Sequence, residues 1–169
     1  HATIKPPFAL AEGQAEAGLI AAFERFCAGE AAVTLEGLQI AALGRVLALV
    51  PVGDQGALCA LAARAVAAFE PWRAPLTEAQ VARRRAGGLS PAQDALLLRW
   101  GYPYVMEEFR FHITLTGKRP KGELPGIKAA LEGLLLPLLP RPYGIDALSL
   151  VGEDAAGRFH LIHRQTLTA

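Results

Sequence analysis

Two stretches of this chain repeat an order of elements, and that repetition limits the fold more than any single motif. One begins His1-Ala2-Thr3-Ile4 and the other His112-Ile113-Thr114-Leu115, and each is followed by a helical pattern and then two apolar runs of strand length. Leu35, Leu38 and Ile40 stand at nearly the same distance from His1 as Ile145, Leu148 and Leu150 do from His112. The turns between the apolar runs carry the same dipeptide, Gly44-Arg45 and Gly157-Arg158, the second in a slightly longer loop. The pattern predicts a duplicated βαββ unit. The expected fold is α+β and bilobal, with lobe one over 1–53, a helical connection over 54–106, lobe two over 107–169 and a central cleft between the lobes.

Within that frame the periodicities are local. Ala15, Leu19, Ala22, Phe23 and Phe26 follow helical spacing between Gly13 and Gly29. The runs 38–43 and 46–52 read as a hairpin turning at Gly44. Asp54 is placed to cap a helix over 57–69, Thr77 to cap the segment that ends in Arg83-Arg84-Arg85, and Ser90-Pro91 to open a helix through Trp100. From Glu108 to Thr116 the sequence alternates, with Phe109, Phe111, Ile113 and Leu115 on one side and Arg110, His112, Thr114 and Thr116 on the other, which predicts a strand. A Leu-rich helix near 126–136 and a hairpin of 145–151 with 158–167 complete the second half.

Composition narrows the function classes. With 169 residues and 52% hydrophobic content the chain has enough apolar mass for a core without disulfide or metal staples, which excludes disorder as its main state. Seventeen Lys and Arg against 16 Asp and Glu, a net charge of +1, argue against a duplex-DNA binder and leave room for a small phosphorylated ligand. Pro, Gly or charge interrupts every apolar stretch short of the roughly 18–20 residues a membrane span needs, so no membrane partner is expected. Cys27 and Cys59 sit in Ala-rich helical patterns and read as small buried hydrophobes in a reducing compartment, hence a cytoplasmic location.

The chemistry lies in the repeat. Residues two apart on a strand share a face, so His1 with Thr3 and His112 with Thr114 each present an imidazole and a hydroxyl together, while Ala2 and Ile113 face the core. Brought to one cleft, the pairs would form a symmetric acid/base site. Two imidazoles suit phosphodiester chemistry, because an unperturbed pKa of about 6.5 lets one accept a proton while the other donates one near neutrality. The threonine hydroxyls can bond the non-bridging phosphate oxygens. This scheme requires neither metal nor cofactor.

The paired motifs resemble the two-histidine phosphoesterase superfamily, which includes cyclic phosphodiesterases and enzymes that process RNA 2',3'-cyclic ends. More narrowly, HATIKPPF at 1–8, PWRAPLT at 71–77, RWGYPYVMEEFRFHITLTG at 99–117 and the terminal FHLIHR resemble a bacterial family of phosphonate-metabolism proteins encoded in carbon–phosphorus lyase operons. The resemblance runs over essentially the whole chain. It implies a bilobal fold with a concave sheet around a cleft and His1, Thr3, His112 and Thr114 as the catalytic set. It also implies several dozen residues upstream of the first motif, including a strand and a helix, so the native chain is expected to extend beyond His1.

The expected activity is a metal-independent cyclic phosphodiesterase acting on a ribose cyclic phosphate, with an RNA 2',3'-cyclic phosphate ranked second and a non-catalytic sugar-phosphate or nucleotide-binding protein as the reading from another class. Further substrate contacts are expected from Arg110, which shares the face of His112, from Lys5 at the cleft mouth, from Lys118 on the following loop and from Tyr104 by stacking on a base or sugar. Arg119, Tyr102 and the arginine triplet at 83–85 read as surface or packing residues, and His163 as a structural histidine.

Overall fold

The first helix, α1 (Glu16–Ala28), buries Leu19, Phe23 and Cys27 at helical spacing and closes on Gly29, whose N–H bonds the Phe26 carbonyl. In this computed structural model, which describes every residue from His1 to Ala169, three strands follow: β1 (Val33–Leu35), β2 (Gly37–Leu43) and β3 (Val46–Val52). β2 and β3 form the expected hairpin around Gly44, whose φ of 64° is the left-handed conformation that glycine adopts without steric cost. The helix after it, α2 (Gly56–Ala68), is capped differently from expectation. Gln55 holds the N-cap position, and Asp54 accepts the Gly56 N–H at 3.0 Å as a two-residue side-chain turn.

Helices α3 (Glu78–Arg85) and α4 (Pro91–Trp100) each start with a complete capping box. Thr77 and Gln80 exchange bonds of 3.2 and 2.9 Å, and Ser90 and Gln93 do the same at 3.1 Å each way. α4 ends on Gly101 in the left-handed region. The Gln93 side chain also reaches forward to Glu108 at 3.0 Å, which ties the start of α4 to the segment leading to His112.

The second half contributes β4 (Ile113–Thr114), α5 (Leu124–Leu135), β5 (Tyr143–Ile145), β6 (Ala147–Glu153) and β7 (Phe159–Thr166). Helix, short strand and hairpin thus occur in the same order after each His-x-Thr. The chain is α+β, with five α-helices and three antiparallel sheets ordered β1-β5, β2-β3-β4 and β6-β7. In the first, Val33 opposes Ile145, Thr34 opposes Gly144 and Leu35 opposes Tyr143, so the two halves are hydrogen-bonded to each other. One apolar cluster runs through α1, β1, β2, β3, α2, Phe109, Phe111 and Leu124. No helix is long and apolar enough to cross a membrane.

Two predicted strands are shorter than the sequence suggests. The alternation over 108–116 holds in burial, with Phe109 and Phe111 buried and Arg110, His112 and Thr114 exposed, but only 113–114 form a ladder. Side chains occupy the carbonyls a strand partner would need: Arg110 donates to the Glu107 and Phe109 oxygens, and the His112 imidazole takes that of Arg110. Residues 1–4 make no ladder at all. Pro6 and Pro7 remove two successive donors, and the first backbone pairing of the chain is the bridge between Leu10 and Arg73.

Candidate active site

Thr114 lies opposite Ala48 on β3, which in turn lies opposite Ala41 on β2. Residues paired across an antiparallel sheet share a face, so the row Ala41, Ala48, Thr114 shares one side of the sheet. The neighbouring row Ile40, Leu49, Ile113 lies on the core side. Within the row that holds Thr114, Ala48 is fully buried, Ala41 is half-buried and Thr114 is exposed at the sheet edge. Gln39, exposed and opposite Val50, adds an amide to that same face. Sequence reasoning passed over Gln39, although it is the only polar side chain in the run 38–43 and so was visible there.

His112 is exposed, and its Nδ1 is 2.8 Å from the Arg110 carbonyl oxygen. A carbonyl only accepts, so Nδ1 carries the proton. In the neutral ring this leaves the Nε2 lone pair outward, available as a base, and in the imidazolium it leaves an Nε2–H available as an acid. The Thr114 hydroxyl has no protein partner. Thr116, two residues on, is structural: its Oγ1 accepts the Leu47 N–H at 3.0 Å, while the Leu47 carbonyl takes the Leu115 N–H at 2.8 Å.

The first motif is held differently. His1 and Thr3 are exposed and Ala2 and Ile4 are partly buried, the alternation expected of an extended segment. Ala2 and Ile4 pack against the same apolar cluster that receives Ile113 and Leu115. No hydrogen bond joins His1 or Thr3 to His112 or Thr114.

The remaining predicted contacts fall in several places. Lys5 does not stand free at a cleft mouth. Its side chain is only 9% exposed, with Nζ 3.3 Å from Glu70 and 3.0 Å from the Val66 carbonyl. Burial lowers its pKa against the opposing pull of Glu70. Glu70 also takes Arg73, from Nε at 3.0 Å and Nη2 at 2.5 Å, which makes a largely buried trio of net charge +1. Arg110 is exposed and folds one guanidinium nitrogen back onto two carbonyls. Tyr104 is 47% exposed and stands edge-on to Tyr102, with centroids 5.7 Å apart, while the Arg84 guanidinium lies 4.8 Å over the Tyr102 ring. Arg85 pairs with Asp94 at 2.6 Å, so two of the three consecutive arginines are packing residues. His163 contacts Glu24 at 3.3 Å and the edge of Phe23.

The hairpin end beyond Thr114 collects positive charge. Arg119 donates its N–H to the Arg45 carbonyl at 2.8 Å, and Arg45 Nε returns a bond to the Arg119 carbonyl at 3.2 Å. Lys118 and Lys121 flank this clasp.

Comparison with known proteins agrees with the length of the motif-bearing region. Over 161 residues the chain is 40% identical to a protein named ribose 1,5-bisphosphate phosphokinase PhnN from Janthinobacterium sp. (strain Marseille), covering 93% of this chain and 36% of that protein. A protein of the same name from Laribacter hongkongensis (strain HLHK9) is 36% identical over 157 residues, with the same two coverages. The chain therefore spans about a third of the length of these curated relatives. Residues 3–160 match one family over nearly their whole extent, and the chain belongs to that family, described as "Protein of unknown function (DUF1045)".

Proposed function

We propose that the chain is a phosphodiesterase that opens a cyclic phosphate on a phosphorylated sugar, with His1, Thr3, His112 and Thr114 as its reacting set. The observation that carries this reading is the state of His112: Nδ1 is fixed by a backbone carbonyl, Nε2 is outward, and a free hydroxyl stands two residues away on the same face. One histidine takes a proton from water as the water oxygen bonds phosphorus. The bond from phosphorus to one sugar oxygen breaks, and that oxygen receives its proton from the other histidine. The product is a phosphomonoester beside a free hydroxyl. Thr3 and Thr114 donate to the non-bridging oxygens as charge builds on them.

The reading includes a duplicated, two-lobed chain, with 1–53 and 107–169 joined by 54–106, which would give a symmetric site. A shift of 110 residues carries Leu35 to Ile145 and Val33 to Tyr143, so the β1–β5 ladder maps onto itself as a pseudo-twofold axis requires. The names of the relatives support a sugar phosphate as ligand and a place in phosphonate metabolism for the family. The same names favour one other reading, in which this portion binds a sugar phosphate for a kinase elsewhere in a longer polypeptide, since it spans only 36% of those proteins.

The test is hydrolysis of ribose 1,2-cyclic phosphate and nucleoside 2',3'-cyclic phosphates, with and without a chelator, by the wild type and by His112→Ala. Turnover that is lost in His112→Ala while product binding persists is the expected result. A wild type inert on the whole panel but binding ribose phosphates would establish the binding reading instead.

A further inference from the structure

We infer that the clasp of Arg45, Lys118 and Arg119 is a second anion subsite, and that the substrate carries a phosphate group besides the one that reacts. This rests on the proposed cyclic phosphodiesterase reading and extends it to substrate class. The placement follows from the register. Thr114 is opposite Ala48, and the chain then runs antiparallel to β3 until Arg119 bonds Arg45. Arg45, the turn residue just before β3, is three positions from Ala48, about 10 Å at 3.3 Å per residue. A pentose phosphorylated at both ends can bridge that gap once the long Arg and Lys side chains reach inward.

The charge is held in place and left uncompensated. Backbone bonds of 2.8 Å from Leu115 to Leu47 and from Arg119 to Arg45, the Thr116 hydroxyl and the Arg45 Nε contact fix the loop to the hairpin turn. No carboxylate pairs with Arg45, Lys118, Arg119 or Lys121; Arg25, Arg83, Arg84, Arg99, Arg110 and Arg141 also lack one, but only the first four gather around one backbone-clasped turn. The two hairpin turns make the contrast direct. Both read Gly-Arg, yet Arg158 is neutralised by Asp154 at 3.0 Å, with His160 on the same carboxylate at 2.8 Å. Arg45 spends only Nε, on a neutral carbonyl, and keeps both terminal nitrogens for a ligand. A guanidinium with its Nη1/Nη2 edge free beside two further cations suits a dianionic phosphate monoester.

The experiment compares ribose 1,2-cyclic phosphate with its 5-phosphorylated form, and measures ribose 1,5-bisphosphate binding calorimetrically, for the wild type, Arg45→Gln, Arg45→Lys, Lys118→Gln and Arg158→Gln. The wild type is expected to prefer the 5-phosphorylated substrate in kcat/KM. Arg45→Gln and Lys118→Gln should each cut that preference and the bisphosphate affinity about tenfold, the effect of one charge-assisted hydrogen bond. Arg45→Lys should lose less, and Arg158→Gln should match the wild type. Equal kcat/KM for the two substrates in the wild type, or bisphosphate binding unchanged in Arg45→Gln, overturns the subsite. Absence of turnover on either substrate, with bisphosphate binding still sensitive to Arg45, would remove the hydrolase reading and leave the subsite standing.

Discussion

The imidazole of His112 is bonded to the backbone of Arg110, Nδ1 to carbonyl oxygen at 2.8 Å, so the residue beneath the ring fixes its tautomer. The same contact replaces a strand bond and turns the end of the alternating segment into a holder for one side chain. The two ring nitrogens are thereby distinguished: Nδ1 orients the ring, and in the proposed reaction Nε2 would transfer the proton.

Amide substitutions divide those tasks. His112→Asn places an amide N–H near the Nδ1 position and keeps the tie to the Arg110 carbonyl, but offers nothing at Nε2. Folding stability should stay within about 0.5 kcal/mol of the wild type, as for exposed positions generally, while hydrolysis falls about 10²-fold or more. Chemical denaturation and an initial-rate assay check the two halves of this expectation. Retained turnover in His112→Asn would show that the ring is a positioning residue.

Thr114 and Thr116 share a face and differ in employment. Thr116→Val leaves the N–H of fully buried Leu47 without its partner and should cost about 1–3 kcal/mol. Thr114→Val keeps the β-branched shape and removes a hydroxyl that bonds nothing in the protein, so stability should hold while kcat drops about 10²-fold. Urea midpoints and kcat for the pair decide it. The reverse pattern would mean that the phosphate contact belongs to Thr116.

Cys27 is inert by burial. Desolvation, helped by nearby Glu30, pushes its thiol up to about 11, so at pH 8 only about one molecule in a thousand carries the thiolate. Cys59 is half-buried. Iodoacetamide at pH 8 should label Cys59 first and reach Cys27 only after denaturant is added, which peptide mass mapping would show. Labelling of both at equal rates in the native protein contradicts the placement of Cys27 in the core.

Much of the framework was legible because it rests on local signals. Apolar spacing gave α1, and Ser90-Pro91 and Thr77 announced their capping boxes. The Gly44 turn and the burial alternation from Phe109 to Leu115 were equally plain. The fate of residues 1–4 was hidden because a ladder depends on what lies alongside, which periodicity does not encode. Lys5 was misread for a related reason. A lysine beside a His-x-Thr motif suggests a phosphate contact, but its partners Glu70 and Arg73 stand more than 60 positions away, and only folding brings them to it. The pairing of β1 with β5 is likewise a long-range fact that the similarity of the two halves suggested without specifying.

The Lys5–Glu70–Arg73 trio makes the last expectation, one of acid stability. Burial alone would raise the Glu70 carboxyl, but the Arg73 hydrogen bonds and the Lys5 charge outweigh it and hold the pKa below the ordinary 4.5. A carboxyl depressed in the folded state contributes stability that is fully present above its unfolded value and is lost as pH falls through the folded one. Lys5 acts at the other end. Burial holds its amine below 10.5, so the unfolded chain binds that proton more tightly and stability rises with pH through the window just under 10.5. Glu70→Gln leaves two cations facing each other, with side chains 9% and 12% exposed, and should cost about 2–4 kcal/mol at pH 7. Below pH 4.5 the unfolded chain takes up the Glu70 proton first and the folded carboxylate follows at its lower pKa, so the gap between the two proteins should narrow toward pH 3. Urea midpoints measured from pH 7 to pH 3 read this directly. A gap that stays constant over that range would mean that Glu70 contributes packing rather than charge, and Lys5→Met would then be tolerated without loss.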